Sequence, residues 1–186
     1  MEGIIEKSSS NHKLVLDNYC KLIICHEEIL SRLVKCFIDE AQHLTLNEIE
    51  RLIKEKTSFH HLDKENFIPY SGKTNYDFLC TIDLSQRIYL NIEIQNDPNP
   101  GYSLITRGLT YISRIMTTQW KNEYYDYDYN HIKKVYSIWI LPQSAKKNDG
   151  HINAYKIDEI NINGTTIERI ETYDKGVLIM IYLNKS

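Results

Sequence analysis

Residues 76–95 read YDFLCTIDLSQRIYLNIEIQ, and the rest of the chain is organised around them. Phe78, Cys80 and Ile82 alternate with Asp77, Thr81 and Asp83. After a short break, Ile88, Leu90, Ile92 and Ile94 alternate with Arg87, Asn91, Glu93 and Gln95. A period of two over both arms, rich in isoleucine and aromatic residues, predicts two strands. Leu84, Ser85 and Gln86 between them have the length of a hairpin loop. Centred on Ser85, the hairpin sets Asp77 opposite Glu93 and Asp83 opposite Arg87. Directly opposed side chains have Cβ atoms roughly 5 Å apart. Two carboxylates held that close repel unless a cation lies between them, and hard divalent cations take oxygen ligands. Gln95 emerges on the same face, one step along. A metal clamp is one reading of this hairpin; solvated carboxylates on a half-buried ribbon are the plainer one.

Outward from the hairpin, the chain reads as one domain spanning 1–186, long enough for a sizeable core. A net charge of −3 excludes a surface coated for nucleic acid, so any DNA contact must use a local basic patch. Cys20, Cys25, Cys36 and Cys80 show no CxxC spacing and read as small buried hydrophobes in a reducing compartment. No signal peptide or membrane-spanning run is evident, so a cytoplasmic protein without a membrane partner is expected. The polar residues 1–11, with their Ser8-Ser9-Ser10 run, are expected to be disordered.

Helical periodicity predicts segments over 14–24, 26–40 and 45–56. Their expected buried residues are Leu14, Leu16, Tyr19, Leu22 and Ile23, then Ile29, Leu30, Leu33, Val34, Phe37 and Ile38, then Leu46, Ile49, Leu52 and Ile53. Thr45 and Glu48 have capping-box spacing. Residues 57–74 read as a long polar connection, with Ile68 starting the first strand of the sheet. His60 and His61 are adjacent, point apart, and make a poor ligand pair. After the turn at 96–101, Ser103 is expected to cap a helix to about Trp120 that buries Leu104, Ile105, Leu109, Ile112, Ile115 and Met116. Gly108 permits close packing of that helix. Arg107, Tyr111, Arg114 and Thr118 form a second stripe. The stretch 123–130, EYYDYDYN, reads as packing with a polar rim. Residues 135–141 are apolar on both faces and predict an internal strand. Strands are expected over 153–162 and 176–183, with a turn at Asn163-Gly164.

Asp77, the Asn91–Gln95 segment NIEIQ, the run PGYSLITRG from Pro100, and IKKVYSIWI from Ile132 occur in an order and spacing that resemble the PD-(D/E)XK nuclease family of putative transposases, related to recombination-promoting nucleases. The resemblance implies an α/β fold with a restriction-endonuclease-like core: a mixed central sheet carrying the hairpin, flanked by the N-terminal helices and the helix after Ser103. It implies that Asp77 and Glu93 are catalytic acids binding Mg²⁺ (or Mn²⁺). Gln95 stands where many such nucleases have Lys, and would orient water or hold the phosphate. Glu28, on the first helix, matches an additional acid, although helical arithmetic brings Glu27 nearer the apolar edge. Arg107 would be available to a phosphate. The expected activity is metal-dependent endonucleolytic hydrolysis of DNA phosphodiester bonds. The alternative is a catalytically weak nucleic-acid-binding or protein-interaction module of a mobile element. The expected partner is DNA; a homodimer and a monomer are both open.

Overall fold

The structure is a computed structural model that describes residues 19, 22–24, 26–55, 59–61, 65–68, 72–120, 122–125, 128–143 and 145–183, with the backbone alone at 59–61, 65–68, 72 and 73. The expected disorder of 1–11 and the positions of Leu14, Leu16, Cys20 and Cys25 lie outside the described residues. The chain divides into two compact units, Met1–Glu55 and Lys56–Ser186.

The first unit is built on two helices, α1 (Glu27–Phe37) and α2 (Leu46–Glu55), which pack on each other. Leu30, Val34 and Ile38, spaced four apart, are buried, as are Ile49 and Ile53. That spacing defines a stripe narrower than the expected one, so Ile29 is exposed and Leu33 and Phe37 are half-buried. Tyr19, Leu22 and Ile23, expected in the core, are exposed, and Ile24 is buried instead. The expected capping box forms. Thr45 N and Oγ1 both donate to Glu48 Oε2 at 2.7 Å, and Glu48 N donates to Thr45 Oγ1 at 3.3 Å.

The second unit carries a six-stranded mixed sheet. Its strands are β1 (Phe59–His61), β4 (Phe78–Asp83), β5 (Arg87–Ile94), β6 (Val135–Leu141), β7 (Ile152–Lys156) and β8 (Gly176–Tyr182), in the order β1-β4-β5-β6-β8-β7. β2 (Glu65–Ile68) and β3 (Gly72–Asn75) form a separate antiparallel ribbon. The connection expected over 57–74 therefore holds three short strands, and Ile68 belongs to the ribbon rather than the sheet. Pairing of β2 with β3 is an economical way to satisfy their backbone groups.

The hairpin has the expected register: Asp83 pairs with Arg87 and Phe78 with Ile92. Arg87 grips Asp83 with Nε at 2.6 Å and Nη2 at 2.9 Å. At the same end, Glu123 accepts from Arg87 Nη1 (3.2 Å) and from the Tyr89 hydroxyl (3.0 Å). β6 is internal, parallel to both β5 and β8, as its apolar faces require. The middle of the hairpin's odd face is not solvated, although Arg87 at the loop end is exposed. Leu79, Thr81, Tyr89, Asn91 and Glu93 are all buried.

Covering comes from α3 (Leu104–Thr118), which links β5 to β6. The Ser103 side chain caps it, accepting from Thr106 N at 3.2 Å. Its Leu104, Tyr111, Ile112 and Ile115 pack in one core cluster with Leu79, Tyr89, Val135, Trp139, Leu178 and Met180. Gly108 lies against β8, where a Cβ would come within 2.5 Å of Leu178 Cδ1. Leu109, expected in the core, is exposed because the buried face is centred on Leu104, Gly108, Tyr111 and Ile115. For the same reason Tyr111 belongs to the buried face, and Arg107, half-buried, stands at its edge.

Two further expectations change. Cys80 is buried but Cys36 is exposed. The strand expected over 153–162 stops at Lys156; an irregular arm then runs to the short helix α4 (Ile170–Tyr173). Gly164 does turn, with φ +96°, but within the arm and not between paired strands.

Candidate functional site

The parallel strands β5 and β6 end together, and α3 starts beside them. In open α/β sheets the carboxyl ends of strands, joined to the following helix, form the natural crevice for ligands. Glu93 lies at that end of β5, beside Trp139 of β6. Continuing the β4–β5 register one step past Phe78–Ile92 brings Asp77 opposite Glu93. Each acid is fastened to the other strand's backbone. Asp77 N donates to Glu93 Oε1 at 3.2 Å, and Ile94 N donates to Asp77 Oδ2 at 2.9 Å. Glu93 is 4 % exposed and Asp77 half-buried. A buried carboxylate is tolerated only with hydrogen-bonding or charged partners, so this bracing holds both acids at the open end of the hairpin.

Gln95 follows on the same strand edge. Its main-chain N–H donates to Ile140 O (2.9 Å), continuing the β5–β6 ladder. Its side-chain Nε2 donates to Asp97 O at 2.8 Å, while Oε1 accepts a longer contact of 3.4 Å from Arg107 Nη1. Gln95 is thereby stretched between the turn and α3.

Arg107 sits in an aromatic cage. Nε and Nη2 both donate to the Tyr111 hydroxyl, at 3.2 and 2.7 Å, and Nη1 donates to the Tyr102 hydroxyl at 3.0 Å. Its guanidinium carbon lies 5.1 Å from the Tyr111 ring centroid and 5.2 Å from that of Trp139, within cation–π range. Burial works against the charge, but the hydrogen bonds to Tyr111 and Tyr102 more than offset it, so its pKa is raised. Burial likewise raises the Tyr111 hydroxyl, which stays a neutral acceptor. Among the described residues, the hydrogen-bond acceptors of Arg107 are all neutral and no carboxylate forms an ion pair with it. A half-buried cation whose described hydrogen-bond partners are all neutral suits an anion. A cleft of about 400 Å³ opens beside it, lined by Tyr102, Ser103, Thr106, Arg107 and Thr110.

Beneath this layer, Trp139 Nε1 and Asn91 Nδ2 both donate to Ser137 Oγ, at 3.0 and 2.9 Å. The pair of bonds fixes the indole plane under Arg107. Sequence reading named Arg107 but missed its cage. Tyr111 was legible as its i+4 neighbour and Tyr102 lies five residues before it, whereas Trp139 joins only through the packing of α3 on β6.

Glu28 lies in the first unit, on α1, where Arg32 Nη2 approaches its Oε1 at 3.1 Å on the exposed surface. Arg114, further along α3, donates to the Thr74 hydroxyl. Among the described residues, no three His, Cys, Asp or Glu side chains gather in a way that could hold a metal. At this strand end the carboxylates are those of Asp77 and Glu93. Among the described residues no helix is long and apolar enough to cross a membrane. No family model, no curated protein and no solved structure matches this chain.

Proposed function

We propose that the chain is a divalent-metal-dependent DNA nuclease of the PD-(D/E)XK type, acting in the cytoplasm and hydrolysing phosphodiester bonds at the open end of the β4–β5 hairpin. One observation carries this reading: Asp77 and Glu93 are braced against each other's strands at the strand end where the first turn of α3 carries Arg107. Two carboxylates fit Mg²⁺ or Mn²⁺, which accept one or two protein carboxylates and fill their remaining positions with water and phosphate oxygens. Asp77 and Glu93 would hold the ion. When bound, such an ion polarises the phosphate and lowers the pKa of a bound water.

The chain's own residues do the rest. Arg107 presents fixed positive charge to a phosphate oxygen, where charge-assisted bonds are the stronger kind. It supplies the cation that Gln95 cannot. Gln95, tied to Asp97 O and to Arg107, aligns the guanidinium relative to the strand end. Tyr111 and Trp139 hold that guanidinium in one plane.

The test uses variants that keep a hydrogen-bond acceptor. Asp77→Asn and Glu93→Gln are expected to lose Mg²⁺-dependent cleavage of plasmid and linear DNA by at least about a hundredfold, the scale of removing a preorganised electrostatic group. Circular dichroism should be unchanged. Wild-type cleavage rates in both variants would sink the reading. The exposed pairing of Glu28 with Arg32 and the lack of a third acid among the described residues favour a second reading: a nucleic-acid-binding module with little turnover. DNA binding that persists in chelator, with no cleavage at any metal concentration, identifies that case.

A further inference from the structure

Two clefts meet at Tyr102. The first, of about 400 Å³, is the one beside Arg107. The second, of about 440 Å³, lies between the turn that follows β5 and the 3-10 turn Lys146–Asn148, and Lys147 lines it. Tyr102 and Ser103 line both clefts and form the wall they share. The Tyr102 side chain is in solvent yet tethered. The residue is 55 % exposed, its hydroxyl accepts from Arg107 Nη1 at 3.0 Å, and the guanidinium carbon lies 6.0 Å from its ring centroid. Among the described residues, neither cleft is lined by an Asp or a Glu, and each has one cation, Arg107 in the first and Lys147 in the second. The lining of both therefore favours an anion, although the chain as a whole is net negative.

An exposed, tethered aromatic ring between two cation-bearing clefts matches a polyanion whose charges are separated by flat apolar groups. A strand of nucleic acid is such a ligand: phosphates for the cations, a base for the ring. A free phosphate or an acidic peptide would engage the cations and leave the ring unused. The ring also chooses between forms of DNA. Bases in a duplex are covered on both faces by their neighbours, whereas a single strand can lay a base on an aromatic side chain. We infer that Tyr102 is a stacking platform for an unpaired base whose flanking phosphates meet Arg107 and Lys147, so that this site takes single-stranded DNA in preference to duplex. This assignment rests on the reading of Arg107 as a phosphate ligand and not on metal chemistry at Asp77 and Glu93.

Fluorescence anisotropy on the full chain tests it, in chelator so that no cleavage intervenes. The probes are one labelled oligodeoxynucleotide of mixed sequence and the same strand annealed to its complement. The wild type should bind the single strand more tightly. Tyr102→Leu removes the aromatic face and should cut the ratio of single-strand to duplex affinity by about tenfold, the scale of one lost base stack. Tyr102→Phe loses the tether to Arg107 but keeps the face, so it should keep most of that ratio. Lys147→Ala should lower the slope of log affinity against log salt for the single strand by about 0.7, as for one phosphate contact. Circular dichroism should be unchanged in all three, since Tyr102 and Lys147 are exposed. Equal affinity of the wild type for the two probes overturns the inference, as does binding to neither, or a ratio that Tyr102→Leu leaves intact. A ratio that depends on Tyr102 in a chain that cleaves nothing with Mg²⁺ keeps the inference and sinks the nuclease reading. Mg²⁺-dependent cleavage with a ratio indifferent to Tyr102 does the reverse.

Discussion

Arg107 concentrates the chemistry of the second unit in one side chain. Its donors reach two tyrosine hydroxyls and one amide oxygen, none of which neutralises it. Arg114, two turns further on, donates to the Thr74 hydroxyl. If Arg107 meets phosphate, Arg107→Ala should weaken DNA binding about tenfold or more, since hydrogen bonds to charged groups contribute roughly 1.5–3 kcal/mol. Arg114→Ala should cost less. Titrations at several salt concentrations should show the slope of log affinity against log salt reduced by about one for Arg107→Ala, as expected for one lost phosphate contact. Arg107→Lys should recover only part of the affinity, because the planar two-pronged contact is gone. Tyr111→Phe removes the acceptor shared by Nε and Nη2 while leaving the ring stack, so it too should weaken binding, by less than Arg107→Ala. Equal, negligible losses for Arg107→Ala and Arg114→Ala would show that the cage is only packing.

At the scale of elements, α3 is placed by the absence of a side chain. Gly108 is buried against Leu178, which is itself fully buried and has little room to yield. Gly108→Val therefore forces the helix away from β8 and should destabilise the protein by about 1–3 kcal/mol, the usual cost of overpacking. Urea denaturation reads this directly. Leu178→Ala, combined with Gly108→Val, should destabilise by less than the two single effects added. Strict additivity would mean that the two positions do not share the contact. In the first unit, the Thr45 hydrogen bonds hold the Glu48 carboxyl below its ordinary pKa. A depressed carboxylate contributes stability above its unfolded pKa, and that contribution is lost as pH falls through the folded value. The helicity gap between wild type and Glu48→Gln should accordingly be present at neutral pH and close as pH falls below the ordinary carboxylate range. Circular dichroism against pH checks it.

For the whole second unit, one ion pair ties the parallel strands at their start. Lys134 precedes β6 and Asp174 precedes β8, and Lys134 Nζ meets Asp174 Oδ2 at 2.5 Å with both side chains about nine-tenths buried. The ammonium also lies 4.8 Å from the Tyr136 ring centroid. Buried pairs gain little over an apolar pair of equal volume, yet removing one partner leaves a buried charge and costs roughly 3–5 kcal/mol. Asp174→Ala should therefore cost about that much, while Lys134→Met with Asp174→Leu should regain most of it. Thermal and urea unfolding measure both. A small loss for Asp174→Ala would mean that water replaces the carboxylate and that the strand starts are held by the ladder alone.

Much of this was legible in the residues. Alternation and loop length were enough for the hairpin register, so Asp83 opposite Arg87, and Asp77 opposite Glu93, could be written down before any coordinates. The Ser103 cap, the capping box at Thr45, the internal strand β6 and the close approach at Gly108 also followed from local chemistry. These features depend on neighbours a few residues apart, where backbone geometry leaves few choices. Tertiary structure decided the rest. Helical periodicity placed Leu109 and Ile29 inside, but which stripe of an amphipathic helix is buried depends on what it packs against. The stretch 57–74 looked like loop because strands so short are stabilised by partners and not by propensity. Trp139 came to Arg107 from β6, a distance in sequence that no local pattern spans, whereas Tyr102 lies only five residues before it. Ile157, Ile160 and Ile162 read as strand; only the folded chain shows that the sheet ends at Lys156 and leaves them in solvent, because β8 pairs with no more than the five residues of β7.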